Sequence, residues 1–170
     1  TPARRTSLEL LNKILVSNEP FEKIILSSKK FLSLEDKDKR FTRLIITTVL
    51  RKFGQIDFIM NQFIKKGSIK KNNLKNIIRI GIAELIFIKS ARYAAINEAV
   101  ETTKTNYSNR LSKFTNAVLR NIDRDKEKLS SMITDEMNYP SWLIEDWKQT
   151  WGTKQTKEII NYFQKEPYLD

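Results

Sequence analysis

The sequence contains no cysteine and no histidine. Their absence removes a disulfide framework, a zinc site of ordinary type, a thiol nucleophile and an imidazole base together. Glycine and proline are scarce, at four each in 170 residues, which is too little punctuation for the many turns of an all-β chain. Four scattered glycines also cannot build a phosphate-cradling loop, and no GxGxxG, P-loop or HExxH motif occurs. Long apolar runs are missing too, so no membrane partner is expected. Thr1 to Ser7 carries two arginines but no apolar stretch behind them, unlike a signal peptide. These absences lead to the expectation of a soluble, cytoplasmic, non-enzymatic piece with no cofactor or metal of its own.

What is present is apolar residues at helical spacing and a large excess of positive charge. Apolar residues make up 40% of the chain, enough for a real core. The formal net charge is +11, and it is unevenly placed. Residues 1–138 carry 27 Lys and Arg against 15 Asp and Glu, whereas residues 139–170 carry four against five. A basic part beside a neutral extension suggests a polyanionic partner for the former. The competing account is compositional, because a chain rich in Ile, Lys and Asn reflects an A- and T-rich coding sequence.

Periodicity predicts a first helix from about Thr6 to Val16, a second segment over Phe21 to Phe31, and a capping box opened by Ser33 with Asp36. The helix after it is predicted to stop at Gly54. Ile56, Ile59, Met60, Phe63 and Ile64 then form a clean apolar stripe. Leu74 to Ile88 is apolar nearly all round, the pattern of a central helix, with Gly81 expected to admit a close neighbour. Helices over Ala94 to Asn106 and Arg110 to Ile122 follow. A polar connector, Asp123 to Asn138, leads to Tyr139-Pro140-Ser141-Trp142, where composition changes. Ser141 is expected to cap a short helix reaching Trp151 and ended by Gly152, with a last helix from about Lys154 to Gln164. Trp142, Trp147 and Trp151 are expected to form an apolar knot. The domain boundary is placed near residue 135, giving a helical domain over 1–135 and a helical linker over 136–170.

Three basic sets are candidates for gripping phosphate. Arg4 and Arg5 fall at the start of the first helix, where the macrodipole disfavours positive charge, so a functional reason is invited. A frayed, solvated terminus is the alternative. Lys65, Lys66, Lys70, Lys71, Lys75 and Arg79 form the densest run, readable as a solvated face or as a grip on a nucleic-acid backbone. Asn106, Arg110, Lys113, Asn116 and Arg120 form the third; Arg110, Lys113 and Arg120 share one helix face opposite Leu111 and Phe114. Glu98 and Glu101 are the nearest thing to a carboxylate pair, and capping or a surface ion pair accounts for them better than catalysis. Unaided, the residues reach a basic helical RNA- or DNA-binding module.

The motif order adds to this. Glu35 to Phe41, Val49-Leu50-Arg51, Gln55 to Ile59, Arg79 to Leu85, Ala94 to Glu101 and Thr115 to Arg120 together resemble a NusB-type domain. Val118-Leu119-Arg120 and the extension Tyr139 to Ile144 are similar to ribosomal RNA methyltransferases of the RsmB (Sun, Fmu) type. The resemblance implies an all-α, NusB-like helical bundle followed by a short helical linker segment. It also implies a longer parent in which a C-terminal methyltransferase domain uses S-adenosylmethionine and a cysteine to methylate cytosine C5. In that setting this chain would hold RNA, expected to be small-subunit rRNA, and the resemblance carries that role to Arg4, Arg5, Asn116 and Arg120, to which the basic face adds Arg110 and Lys113. A stand-alone transcription antitermination factor and a protein-binding helical scaffold are the alternatives.

Overall fold

The computed structural model describes residues 1–165, and its regular structure there is helical throughout. Helix α1 spans Pro2–Ile14, starting earlier than the periodicity indicates because Pro2 takes the first helical position, where a missing N–H is harmless. Arg4 and Arg5 therefore lie inside the first turn. The segment after it is two helices, α2 (Phe21–Leu26) and α3 (Lys29–Leu32), rather than one. Ser28 breaks it by accepting a hydrogen bond from the Phe31 amide at 3.2 Å. The Ser33 capping box does not form. Its hydroxyl donates back to the Lys30 carbonyl at 2.9 Å, and α4 (Asp36–Arg51) opens with Asp36 and Asp38 against the helix dipole instead.

Gly54 lies within α5 (Phe53–Phe63) and does not stop the preceding helix. A Cβ on it would sit 1.6 Å from the Met137 carbonyl oxygen. Only glycine lets the 3₁₀ turn Asp135–Asn138 lie directly on this helix. Ile56, Ile59, Met60 and Ile64 are buried as their spacing requires.

The centre is α6 (Asn72–Ile82), which runs on into a π-helical turn, Ala83–Ile88. Every residue from Asn76 to Ile86 is buried. Gly81 admits Leu119, whose methyl carbons would lie 2.9 Å from an added Cβ. Leu119 belongs to α8 (Asn109–Arg124), which pairs with α7 (Arg92–Asn106) as a helical hairpin. Small residues make that pairing close: Ala95, Ala99, Thr103, Ser112 and Thr115 are buried, and the Thr103 and Thr115 hydroxyls meet at 3.2 Å.

After α9 (Lys126–Met132) and the 3₁₀ turn comes α10 (Ser141–Gln164). It is two helical stretches, 141–151 and 153–164, broken at Gly152 with φ 81°, a left-handed value that glycine adopts without strain. Ser141 makes no side-chain cap. Asn138 ties the segment to the bundle, accepting from the Gln55 amide at 2.9 Å and donating to the Gln55 and Gln164 side chains at 3.0 Å each. Tyr139, Trp147 and Trp151 pack in sequence with their rings tilted, at centroid separations of 5.7 and 6.2 Å. Trp142 is not part of that knot, being 69% exposed. The linker read over 136–170 extends into 166–170, which lie outside the described residues. Among the described residues no helix is long and apolar enough to cross a membrane.

Candidate nucleic-acid interface

Helix α8 is two-faced. Ser112, Thr115, Val118, Leu119 and Ile122 point into the core. At 100° per residue, Arg110, Lys113, Asn116 and Arg120 fall on the opposite side, where the three cations are exposed. Asn116 does more than line this face. Its Oδ1 accepts from Arg120 Nε at 3.0 Å, which holds the guanidinium while leaving its outer N–H groups free. Arg124 extends the stripe with a 72% exposed side chain, its Nε 3.5 Å from Asp125 Oδ1. Sequence reading missed it, although its position four residues after Arg120 carries the signal. Arg110 and Arg124 are 14 residues apart, so the cationic stripe is about 21 Å long.

Arg4 and Arg5 do different things. The Arg4 guanidinium grips Glu84 with Nε 3.0 Å from both carboxylate oxygens and Nη2 2.7 Å from one. It also lies over the Phe41 ring at 5.2 Å. The two side chains are 12% and 1% exposed. A positive charge in the first helical turn has its reason here in a buried carboxylate. Arg5 is exposed and lines an open cleft of about 700 Å³ between α1, the start of α6 and α7.

The lysine run divides in the same way. Arg79 is buried, pairing with Asp57 at 2.8 and 3.0 Å and lying 4.5 Å from the Phe53 ring centre. Lys65, Lys66, Lys70 and Lys71 are exposed. Lys71 reaches over the Tyr107 ring at 4.8 Å, which fastens the lysine loop to the turn between α7 and α8. The cleft beside Arg5 is lined at this same end by Asn73 and Asn106. One end of the bundle therefore gathers the lysine loop, the mouth of the cleft and Arg110 at the start of α8.

Residues 1–124 match the NusB family. This chain belongs to the NusB family. Within it, the NusB-family chain is 30% identical over 148 residues to a protein named probable ribosomal RNA small subunit methyltransferase B from Synechocystis sp., covering 81% of this chain and 33% of that protein. A protein of the same name from Bacillus subtilis is 28% identical over 169 residues, covering 94% and 37% respectively. Ribosomal RNA small subunit methyltransferase B from Erwinia tasmaniensis is 23% identical over 171 residues, covering 98% and 39%. The chain thus spans about a third of the length of these relatives.

The residues present do not fit an S-adenosylmethionine site. Gly54 and Gly81 are occupied by helix packing, and Gly67 and Gly152 stand in separate open turns. With no cysteine in the chain, no methyl transfer through an enzyme thiolate is derived from it.

Proposed function

We propose that this chain is the RNA-holding part of a small-subunit rRNA (cytosine-C5) methyltransferase, with S-adenosylmethionine chemistry carried by a C-terminal methyltransferase domain of the same parent. The supporting observation is the exposed stripe of Arg110, Lys113, Arg120 and Arg124 on α8, oriented in part by Asn116 and adjoining the lysine loop. Cations held along one face of a helix bind a phosphate backbone by charge and position it without reading bases. Arg5 joins the contact set from the neighbouring cleft. Arg4 does not, because its guanidinium donors are turned onto Glu84. In this reading residues 1–135 hold the RNA and 136–170 lead toward the catalytic part, in the cytoplasm.

The test is equilibrium binding to small-subunit rRNA fragments and to unrelated RNA of equal length across a salt series. Neutralising about five phosphates of single-stranded RNA gives a slope near −3.5 in log K against log salt. Salt-sensitive binding that favours particular rRNA fragments supports a positioning role. An absence of binding at low salt would return the charge to codon composition and the helical faces to protein partners.

A further inference from the structure

An oriented chain of amides lines a cleft neighbouring the one beside Arg5 and reaches the latter through Asn12 and Asn73. Arg79 Nη1 donates to Asn76 Oδ1 at 2.8 Å, Asn76 Nδ2 donates to Asn12 Oδ1 at 2.7 Å, and Asn12 Nδ2 donates to Asn73 Oδ1 at 2.6 Å. A guanidinium has no acceptor, so Arg79, itself fixed by Asp57, dictates the sense of every amide after it. The last member must therefore present Asn73 Nδ2, a donor with no partner among the described residues. Asn73 stands between two clefts, lining both the one beside Arg5 and its neighbour.

Four charged side chains line the Arg5 cleft, and two of them are engaged elsewhere, Glu9 with Lys30 and Glu98 with the N-terminal amine. Neither the Arg5 guanidinium nor the Glu101 carboxylate has a hydrogen bond or ion pair among the described residues, and both are exposed. The volume, about 700 Å³, is within the roughly 300–1,000 Å³ of ordinary ligand sites. A free phosphate fits poorly, because Glu9, Glu98 and Glu101 all line the wall. What fits is a neutral group with donors on one side and acceptors on another. Among the bases, guanine alone offers two adjacent N–H donors, N1 and the exocyclic amine, to one carboxylate. Its O6 and N7 are acceptors that arginine recognises, and an amide N–H has the donor to meet either one.

We propose that this cleft binds an unpaired guanine, with Glu101 accepting from its Watson–Crick edge and Arg5 and Asn73 donating to its acceptor atoms. The inference rests on the RNA-binding reading and adds base selection to it. Sequence-selective RNA recognition uses unstacked bases of this kind. Asn76 and Asn12 are positioning residues, acting through Asn73.

The experiment compares binding of the chain to an octauridylate and to the same octamer with one central guanosine. One guanosine is expected to tighten binding roughly tenfold, the scale of a good bidentate base contact. Inosine at that place, lacking the exocyclic amine, loses most of the gain. Glu101→Gln brings the ratio of the two affinities to about one, and Asn12→Ala lowers it while the fold, followed by circular dichroism, persists. Equal affinity for the two octamers with salt-sensitive binding intact overturns the guanine site and leaves the phosphate grip standing. Failure to bind either octamer overturns both. Guanosine monophosphate is titrated separately. Saturable binding to it, abolished by Glu101→Gln and without a gain from guanosine in the octamer, assigns the cleft to a free guanine nucleotide instead of RNA.

Discussion

Arg4 Nη2 lies 2.7 Å from a Glu84 oxygen whose side chain is 1% exposed, while Arg5, one residue on, has no side-chain partner among the described residues. Adjacent, identical side chains thus divide between stability and solvent. Removing one partner of a buried ion pair leaves a charge unpaired in low dielectric and costs about 3–5 kcal/mol. Arg4→Ala is therefore expected to lower the melting temperature by about 10 °C for a chain of this size, and Arg5→Ala to leave it within a degree or two. Thermal denaturation of the two single variants checks this; equal melting temperatures would show that the Glu84 pair contributes nothing. The sequence marked both arginines as disfavoured by the helix dipole. It could not separate them, because Glu84 lies 80 residues away. The amide chain of Asn12, Asn73 and Asn76 was illegible for a related reason: neutral side chains from two distant helices leave no periodic trace.

At the scale of elements, apolar periodicity located helices well where the core imposes it. Ile56, Ile59, Met60 and Ile64 of the α5 stripe are buried with Phe63 half-buried, and the apolar residues of the segment from Leu74 are buried through Ile86, with Phe87 and Ile88 half-buried. Ile78, fully buried on α6, sets the test of that assignment: Ile78→Asp places an unpaired charge in the centre and should abolish cooperative melting. A soluble variant with a sharp transition would contradict it. Local punctuation was the less reliable guide. Gly54 has the sequence character of a helix stop, yet its constraint is the Met137 carbonyl brought onto α5 by the later fold. Gly54→Ala is expected to cost about 1–3 kcal/mol through overpacking and to loosen the 3₁₀ turn before the bundle. Hydrogen exchange at the Gln55 amide, which donates to Asn138, reports this directly. Acceleration there with α6 protection retained is the expected pattern, and an unchanged Gln55 rate would mean the turn adapts without letting go.

For the whole molecule, the excess of 27 basic over 15 acidic residues in 1–138 overstates what a partner can meet. Arg4 and Arg79 are turned inward onto Glu84 and Asp57, and Arg43 and Lys30 are paired on the surface with Glu22 and Glu9. Other exposed cations, among them Lys13, Lys29, Lys37, Arg40, Lys104 and Lys128, are scattered over the remaining helices, whereas α8 and the lysine loop, which Lys71 joins through Tyr107, place theirs side by side. Codon bias raises lysine everywhere, but it does not select arginine at one exposed helix face. If the α8 stripe is the grip, changing Arg110, Lys113, Arg120 and Arg124 to Gln removes up to four phosphate contacts. The salt slope then flattens by about 2.8, at about 0.7 per contact with a single strand. The same number of substitutions at Lys23, Lys29, Lys37 and Lys39, on the helices before α5, controls for net charge. A comparable loss of slope in both quadruple variants would mean that RNA senses the overall charge; a loss confined to the α8 variant localises binding to that helix.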